Sequence, residues 1–142
     1  MTGAGCVMCD KYGAGGPLLI AELETARVFL HEDQFFPGYV LLVLRRHATE
    51  LYELEAGERR AHLEEVSRVA QALARVFRPV KMNYELLGNQ VPHIHWHVVP
   101  RLPTDPDLRA PIWRVDHRPT PLAPAAARER IGHIRRALAA SA

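Results

Sequence analysis

Read from the N-terminus, the chain alternates short apolar runs with polar breaks and then settles into one long amphipathic stretch. LLIAE (18–22) and ARVFLH (26–31) each have the length and residue types of a strand, with Glu24-Thr25 near the turn between them. Pro37-Gly38 marks a second turn. Tyr39 to Leu44 follows as an almost unbroken apolar run, the pattern of a central strand covered on both faces. Over 57–77 the period lengthens. Leu63, Val66, Ala70, Leu73 and Phe77 recur at spacings of three and four, which predicts a helix with one apolar face. Arg60, Glu64, Arg68, Gln71 and Arg75 fall opposite, and Pro79 ends the helix. His62, at the edge of the apolar arc, reads as a packing residue.

Two more strands, 81–87 and 93–99, flank Gly88-Asn89. Seven prolines from Pro100 to Pro124 predict an extended, irregular segment laid over the surface. A last helix spans about 125–139, with Gly132 weakening it. Consecutive strands with one main helix give an α+β fold. It has a mostly antiparallel sheet of about five strands, one long helix and a short C-terminal helix. With 142 residues the chain fits one domain, 1–142.

Composition narrows the function classes. Hydrophobic residues at 48% and charged residues at 24% exclude a disordered chain. No apolar run approaches the ~20 residues of a membrane span. MTGAGCVMCDKYGAGG lacks the basic start and apolar centre of a signal peptide, so a cytoplasmic protein is expected. A net charge of +2 gives no reason to expect a nucleic-acid or membrane partner. The balance is uneven, with ten basic against twelve acidic side chains in 1–100 and eight against four in 101–142. That basic end reads as a solvated surface, with a phosphate-holding role as the alternative.

The chemistry is concentrated in VPHIHWHVVP (91–100). On a strand, His93, His95 and His97 share one face, while Ile94, Trp96 and Val98 face the core. The array admits three readings: a solvated sheet face, a metal site, or nucleophilic catalysis. Three ligands on one straight strand span ~13 Å, too far for bonds of ~2.1 Å to a single ion. A neutral imidazole is a good nucleophile toward phosphorus, and His95 has a histidine on each side.

At this point the residues resemble a known family. His-Ile-His-Trp-His-Val-Val matches the histidine triad (HIT) signature throughout. CVMC, FFPGYVLLVLRRHATEL, the long helix and NYELLGNQVPHIHWHVVPR follow in the family's order. The resemblance covers about 6–101, which makes that the core and 102–142 a Pro-rich extension with its helix. It implies a HIT-like fold, commonly homodimeric, that hydrolyses or transfers nucleoside monophosphates from nucleoside phosphates. Diadenosine polyphosphates and adenosine phosphoramidates are typical substrates. Carried across, the resemblance makes His95 the nucleophile forming a nucleotidyl-histidine. His97 contacts phosphate or manages a proton, and His93 orients the array. Asn83, Asn89 and Gln90 match its phosphate-contacting positions. Two departures stand out: Gly88-Asn89-Gln90 replaces Gly-Gln-Ser/Thr, and LHEDQFFPG lacks the expected asparagine, leaving the nucleobase open.

Cys6 and Cys9, the only cysteines, form a CxxC that suits half a zinc site or a redox pair. A redox motif belongs in a βαβ setting, which the pattern lacks. A structural zinc needs two further ligands. HIT-related proteins, including the galactose-1-phosphate uridylyltransferase branch, imply His47 and His93 for those places. Three functions follow: covalent nucleotide hydrolase or transferase, zinc-dependent hydrolase, or non-catalytic nucleotide-binding module. Trp113 is read as an anchor for the Pro-rich segment or a lid over a base. His31, His117 and His133 are expected on the surface or in loops.

Overall fold

A computed structural model describes residues 3–140, so the ends of the expected domain, 1–2 and 141–142, lie outside the described residues. The strands are β1 (Leu19–Glu22), β2 (Ala26–Leu30), β3 (Val40–Leu44), β4 (Lys81–Glu85) and β5 (His95–Arg101). They form one antiparallel sheet in the order β1-β2-β3-β5-β4. The expected five strands are all present. β3 lies third in the sheet and every one of its residues is buried, as its unbroken apolar run requires.

Helices cover one face. α2 (Ala56–Phe77) and α3 (Pro124–Ala140) bury Val66, Val69, Leu73, Ile134 and Leu138 against Val28, Val40, Leu42 and Val98. At roughly 1.5–3 kcal/mol for each fully buried aliphatic side chain, this layer is the main source of stability. Gly38 makes the Pro-Gly turn at a φ of 86°, and a Cβ there would come 2.6 Å from the Phe77 ring. The turn and the end of α2 thereby lock together. A six-residue helix, α1 (Val7–Tyr12), precedes the sheet. Among the described residues, no helix is long and apolar enough to cross a membrane.

α2 is rotated relative to its apolar pattern. Leu63, expected inside, is 43% exposed, whereas His62 and Glu65 are buried. A chain of hydrogen bonds explains the turn. Trp96 on β5 donates its indole N–H to His62 Nε2 at 3.0 Å, so the His62 proton sits on Nδ1 and points to Thr25 Oγ1 at 2.9 Å. Thr25 in turn donates its hydroxyl and its backbone N–H to the Glu65 carboxylate. Every polar member has a partner, which is what makes burying them tolerable. Burial pushes His62 down to about 4, so it is neutral at ordinary pH.

Candidate active site and metal centre

The opposite face of the sheet is only partly covered. Met8, Phe29, Phe36, Leu41, Val43, Val99 and Ile112 pack there, and a cavity of about 470 Å³ opens beside them. Cross-strand pairing sets its floor. His95 lies opposite Val43 and His97 opposite Leu41, so these side chains rise from the sheet side by side. Met8 and Tyr12 of α1 stand on one side of the cavity, with Gly88, Asn89, Gln90 and Trp113 on its rim.

The three histidines do not share one face as expected. β5 begins at His95, and His93 precedes it, its N–H turned back to Val91 O at 2.8 Å. His93 therefore escapes the period-two alternation. Its side chain leaves the cavity for the two cysteines, while its backbone carbonyl stays with His95. The ~13 Å separation anticipated from a straight strand does not apply, and the residues divide between two sites.

His95 is 5% exposed, and its Nδ1 lies 2.6 Å from His93 O. A carbonyl only accepts, so Nδ1 carries a proton, and the neutral form of the ring has its lone pair on Nε2. Burial lowers His97 to about 4, with His95 adding a smaller effect, so His97 is neutral at ordinary pH. Its Nδ1 is 2.6 Å from the Tyr39 hydroxyl, a length typical of a bond given by O–H rather than by ring N–H. Burial holds the Tyr39 phenol well above the usual tyrosine range, so it stays protonated. Tyr39 donates, and His97 carries its proton on Nε2. Two neighbouring imidazoles, their ring centroids 5.1 Å apart, thus differ in kind: one a lone pair, the other a donor.

Asn89 and Gln90 are exposed on the cavity rim. Asn83 is placed elsewhere: its Oδ1 accepts from Arg101 at 2.8 Å in a separate groove over β4. Trp113 joins the cavity with its ring perpendicular to that of His97. Tyr39, Met8, Tyr12 and His31 also line it, although no motif in the chain marks them. Their apolar or strand-like positions identify packing, and only the folded arrangement turns them toward the histidines.

Cys6, Cys9, His47 and His93 bring their ligand atoms within 4.8 Å of one another. His47 Nδ1 lies 3.3 Å from His93 Nδ1, and His93 Nδ1 lies 3.5 Å from each sulfur. A tetrahedral ion with bonds of ~2.05 Å to nitrogen and ~2.3 Å to sulfur requires N···N of ~3.3 Å and N···S of ~3.5 Å. The geometry fits. His93 Nε2 donates to Leu44 O at 2.8 Å, leaving Nδ1 unprotonated toward the sulfurs, the outer bond expected of a metal-binding histidine. Burial together with Cys6 raises the Cys9 thiol, a cost that a bound cation would reverse.

The HIT domain pattern matches residues 17–104. The chain belongs to the HIT family. A histidine triad protein from Bradyrhizobium japonicum superposes with a TM-score of 0.75 at 30% identity, covering 84% of this chain and 89% of that one. A bis(5'-nucleosyl)-tetraphosphatase (asymmetrical) from Schizosaccharomyces pombe is 26% identical over 95 residues, 63% of this HIT protein and 52% of the enzyme. A histidine triad family protein from Mycobacterium smegmatis, described as zinc-bound, shares the fold at 23% identity and a TM-score of 0.71 over 98% of this chain and 96% of that one. Four donors fit a metal in this HIT protein, and two histidines line the separate cavity.

Proposed function

We propose that this HIT protein is a nucleotide hydrolase or nucleotidyl transferase acting at an α-phosphate through His95. The observation that carries the reading is the bond from His95 Nδ1–H to His93 O in the wall of the cavity, which selects the tautomer whose nucleophilic lone pair is on Nε2. Nε2 forms a bond to phosphorus while the bond to the leaving group breaks; the leaving group keeps the electron pair, a phosphate departing as its anion and an amine taking up a proton from solvent water as it departs. Water then adds to phosphorus, gives up a proton and releases the nucleoside monophosphate, returning the lone pair to Nε2. An alternative acceptor in place of water makes the reaction a transfer. His97 Nε2–H donates to a phosphoryl oxygen as charge develops. Asn89 and Gln90, on the rim, are proposed to hold the phosphate, and diadenosine polyphosphates or adenosine phosphoramidates are the proposed substrates.

Zinc is the proposed occupant of the Cys6, Cys9, His47 and His93 set. All four positions are protein ligands, which supports a structural ion over one that activates water. When bound, it pins α1 through Cys9 and holds His93, whose carbonyl orients the nucleophile. Reduced cysteines of this kind suit a cytoplasmic protein. A homodimer through β4 is supported by the unpaired outer edge of that strand, where Val80 and Tyr84 are exposed.

The test is intact-protein mass spectrometry after incubation with adenosine phosphoramidate or diadenosine tetraphosphate and rapid acid quenching. An adenylyl adduct is expected, absent from His95→Asn, and native spectra of the same samples should read zinc and twice the chain mass. Undiminished turnover by His95→Asn would overturn the mechanism.

A further inference from the structure

Holding one nucleoside leaves part of the cavity without a role. Met8, Tyr12 and Leu41 supply apolar lining, and Leu87 and Trp113 line it as well while each remains 54% exposed. An indole this open forgoes much of the burial that usually stabilises tryptophan. It is nevertheless held firmly. Its N–H is donated to Glu85, its ring stands perpendicular to that of His97 with centroids 5.1 Å apart, and the preceding Ile112 is buried. The chain is tied on both sides of it. Arg101, 1% exposed, donates to Ala110 O and Asp107 O ahead of the indole. Asp33 accepts from His117 and from the Thr120 N–H behind it.

Glu85 also lines the second groove, which has a volume of about 360 Å³ over β4. Three cations line it: Arg101 is buried and committed to Asp105, Asn83 and Ala110 O, while Lys81 and Arg109 are exposed. The Arg109 guanidinium has no hydrogen-bond or ion-pair partner among the described residues. Asn83 is there too, its carbonyl committed to Arg101 and its amide donors without an assigned partner. Moving across the sheet from β3 to β4, the site presents an apolar end, the two histidines, a fixed aromatic face and then positive charge.

We infer that Trp113, with Lys81 and Arg109 in the adjoining groove, forms a leaving-group subsite. It accepts an oligophosphate that carries a second nucleobase. The inference rests on the covalent reading of His95 but concerns the part of the substrate that departs. The indole offers a stacking face to the second base, and the two cations offset the phosphates. A leaving group without a ring, such as ammonia, makes neither contact. Base–aromatic stacking of about 1–3 kcal/mol corresponds to a change of roughly 5- to 150-fold.

The experiment compares kcat/KM for diadenosine tetraphosphate with that for adenosine phosphoramidate in the unaltered protein, Trp113→Ala, Trp113→Phe and Arg109→Ala. The ratio should fall about tenfold in Trp113→Ala, recover in Trp113→Phe, and fall a few-fold in Arg109→Ala. A binding readout runs in parallel, in the inactive His95→Asn protein. Diadenosine tetraphosphate should quench tryptophan fluorescence, adenosine monophosphate should not, and Trp113→Phe should abolish the difference. Both rates falling together with an unchanged ratio, or equal quenching by the two ligands, overturns the subsite while leaving the His95 chemistry intact. Turnover of neither substrate by the unaltered protein removes the catalytic reading, and the subsite with it.

Discussion

At the scale of single residues, the site depends on which nitrogen of each imidazole holds the proton. His95 is set by a backbone carbonyl and His97 by a phenol. Tyr39 is 4% exposed and its ring stacks on His31 with centroids 4.0 Å apart, so the hydroxyl has little freedom to move. Tyr39→Phe should preserve that stack and remove only the donor. We expect kcat to fall about 10- to 100-fold, the order of a lost catalytic hydrogen bond, with KM little changed. Nitrogen NMR should show His97 passing from one tautomer to a mixture. A variant with wild-type kcat and an unaltered tautomer would remove Tyr39 from the mechanism. His95 and His97 were legible in the sequence through their motif. Tyr39 was not, because its position in an apolar run looks the same whether its hydroxyl has a partner or none.

At the scale of elements, the six-residue α1 is too short to hold its shape alone in water. Cys9 on this helix belongs to the metal set, while Met8 and Tyr12 on the same helix line the cavity. Metal removal should therefore act on the substrate pocket as well as on stability. Stripping the ion with a chelator, or Cys9→Ser, should lower the midpoint of thermal unfolding by about 5 °C or more. It should also weaken adenosine monophosphate binding about tenfold, read by calorimetry below the transition. Unchanged affinity in metal-free, folded protein would show that α1 keeps its place without the ion. CxxC announced a possible metal, but the helix between the cysteines and the cavity was hidden. Its residues carry no strong period, and its contacts are with Phe29, His47 and His93, all distant in the chain.

At the scale of the whole molecule, burial of neutral histidine links the fold to pH. His62 sits at about 4 in the folded protein, below the ordinary value of about 6.5. The unfolded chain takes up a proton between those values and the native chain does not. Its contribution is therefore complete above about pH 6.5 and is lost as the pH falls toward 4. For this one group the loss amounts to about 2–3 kcal/mol by pH 4.5. Urea unfolding at pH 7.5 and 4.5 should show the decline, with a smaller difference in His62→Gln. Other groups, the metal ligands included, titrate in both proteins, so the contrast between them is the readout. An identical decline would assign the acid sensitivity elsewhere.

Local spacing by itself determined the five strands, the long helix, the turn at Pro37-Gly38 and the cluster of histidines, because strand and helix periods are written along the chain. It misjudged the rotation of α2, since Leu63 follows the apolar period while His62 and Glu65 are drawn inside by Thr25 and Trp96. Tertiary structure alone decided that His93 leaves the face of His95 and His97, that Tyr39 and Trp113 reach the cavity, and that Asn83 lies in the other groove. Those outcomes depend on where a strand begins and on which distant segments meet. Such contacts are made between residues tens of positions apart, and no local period records them.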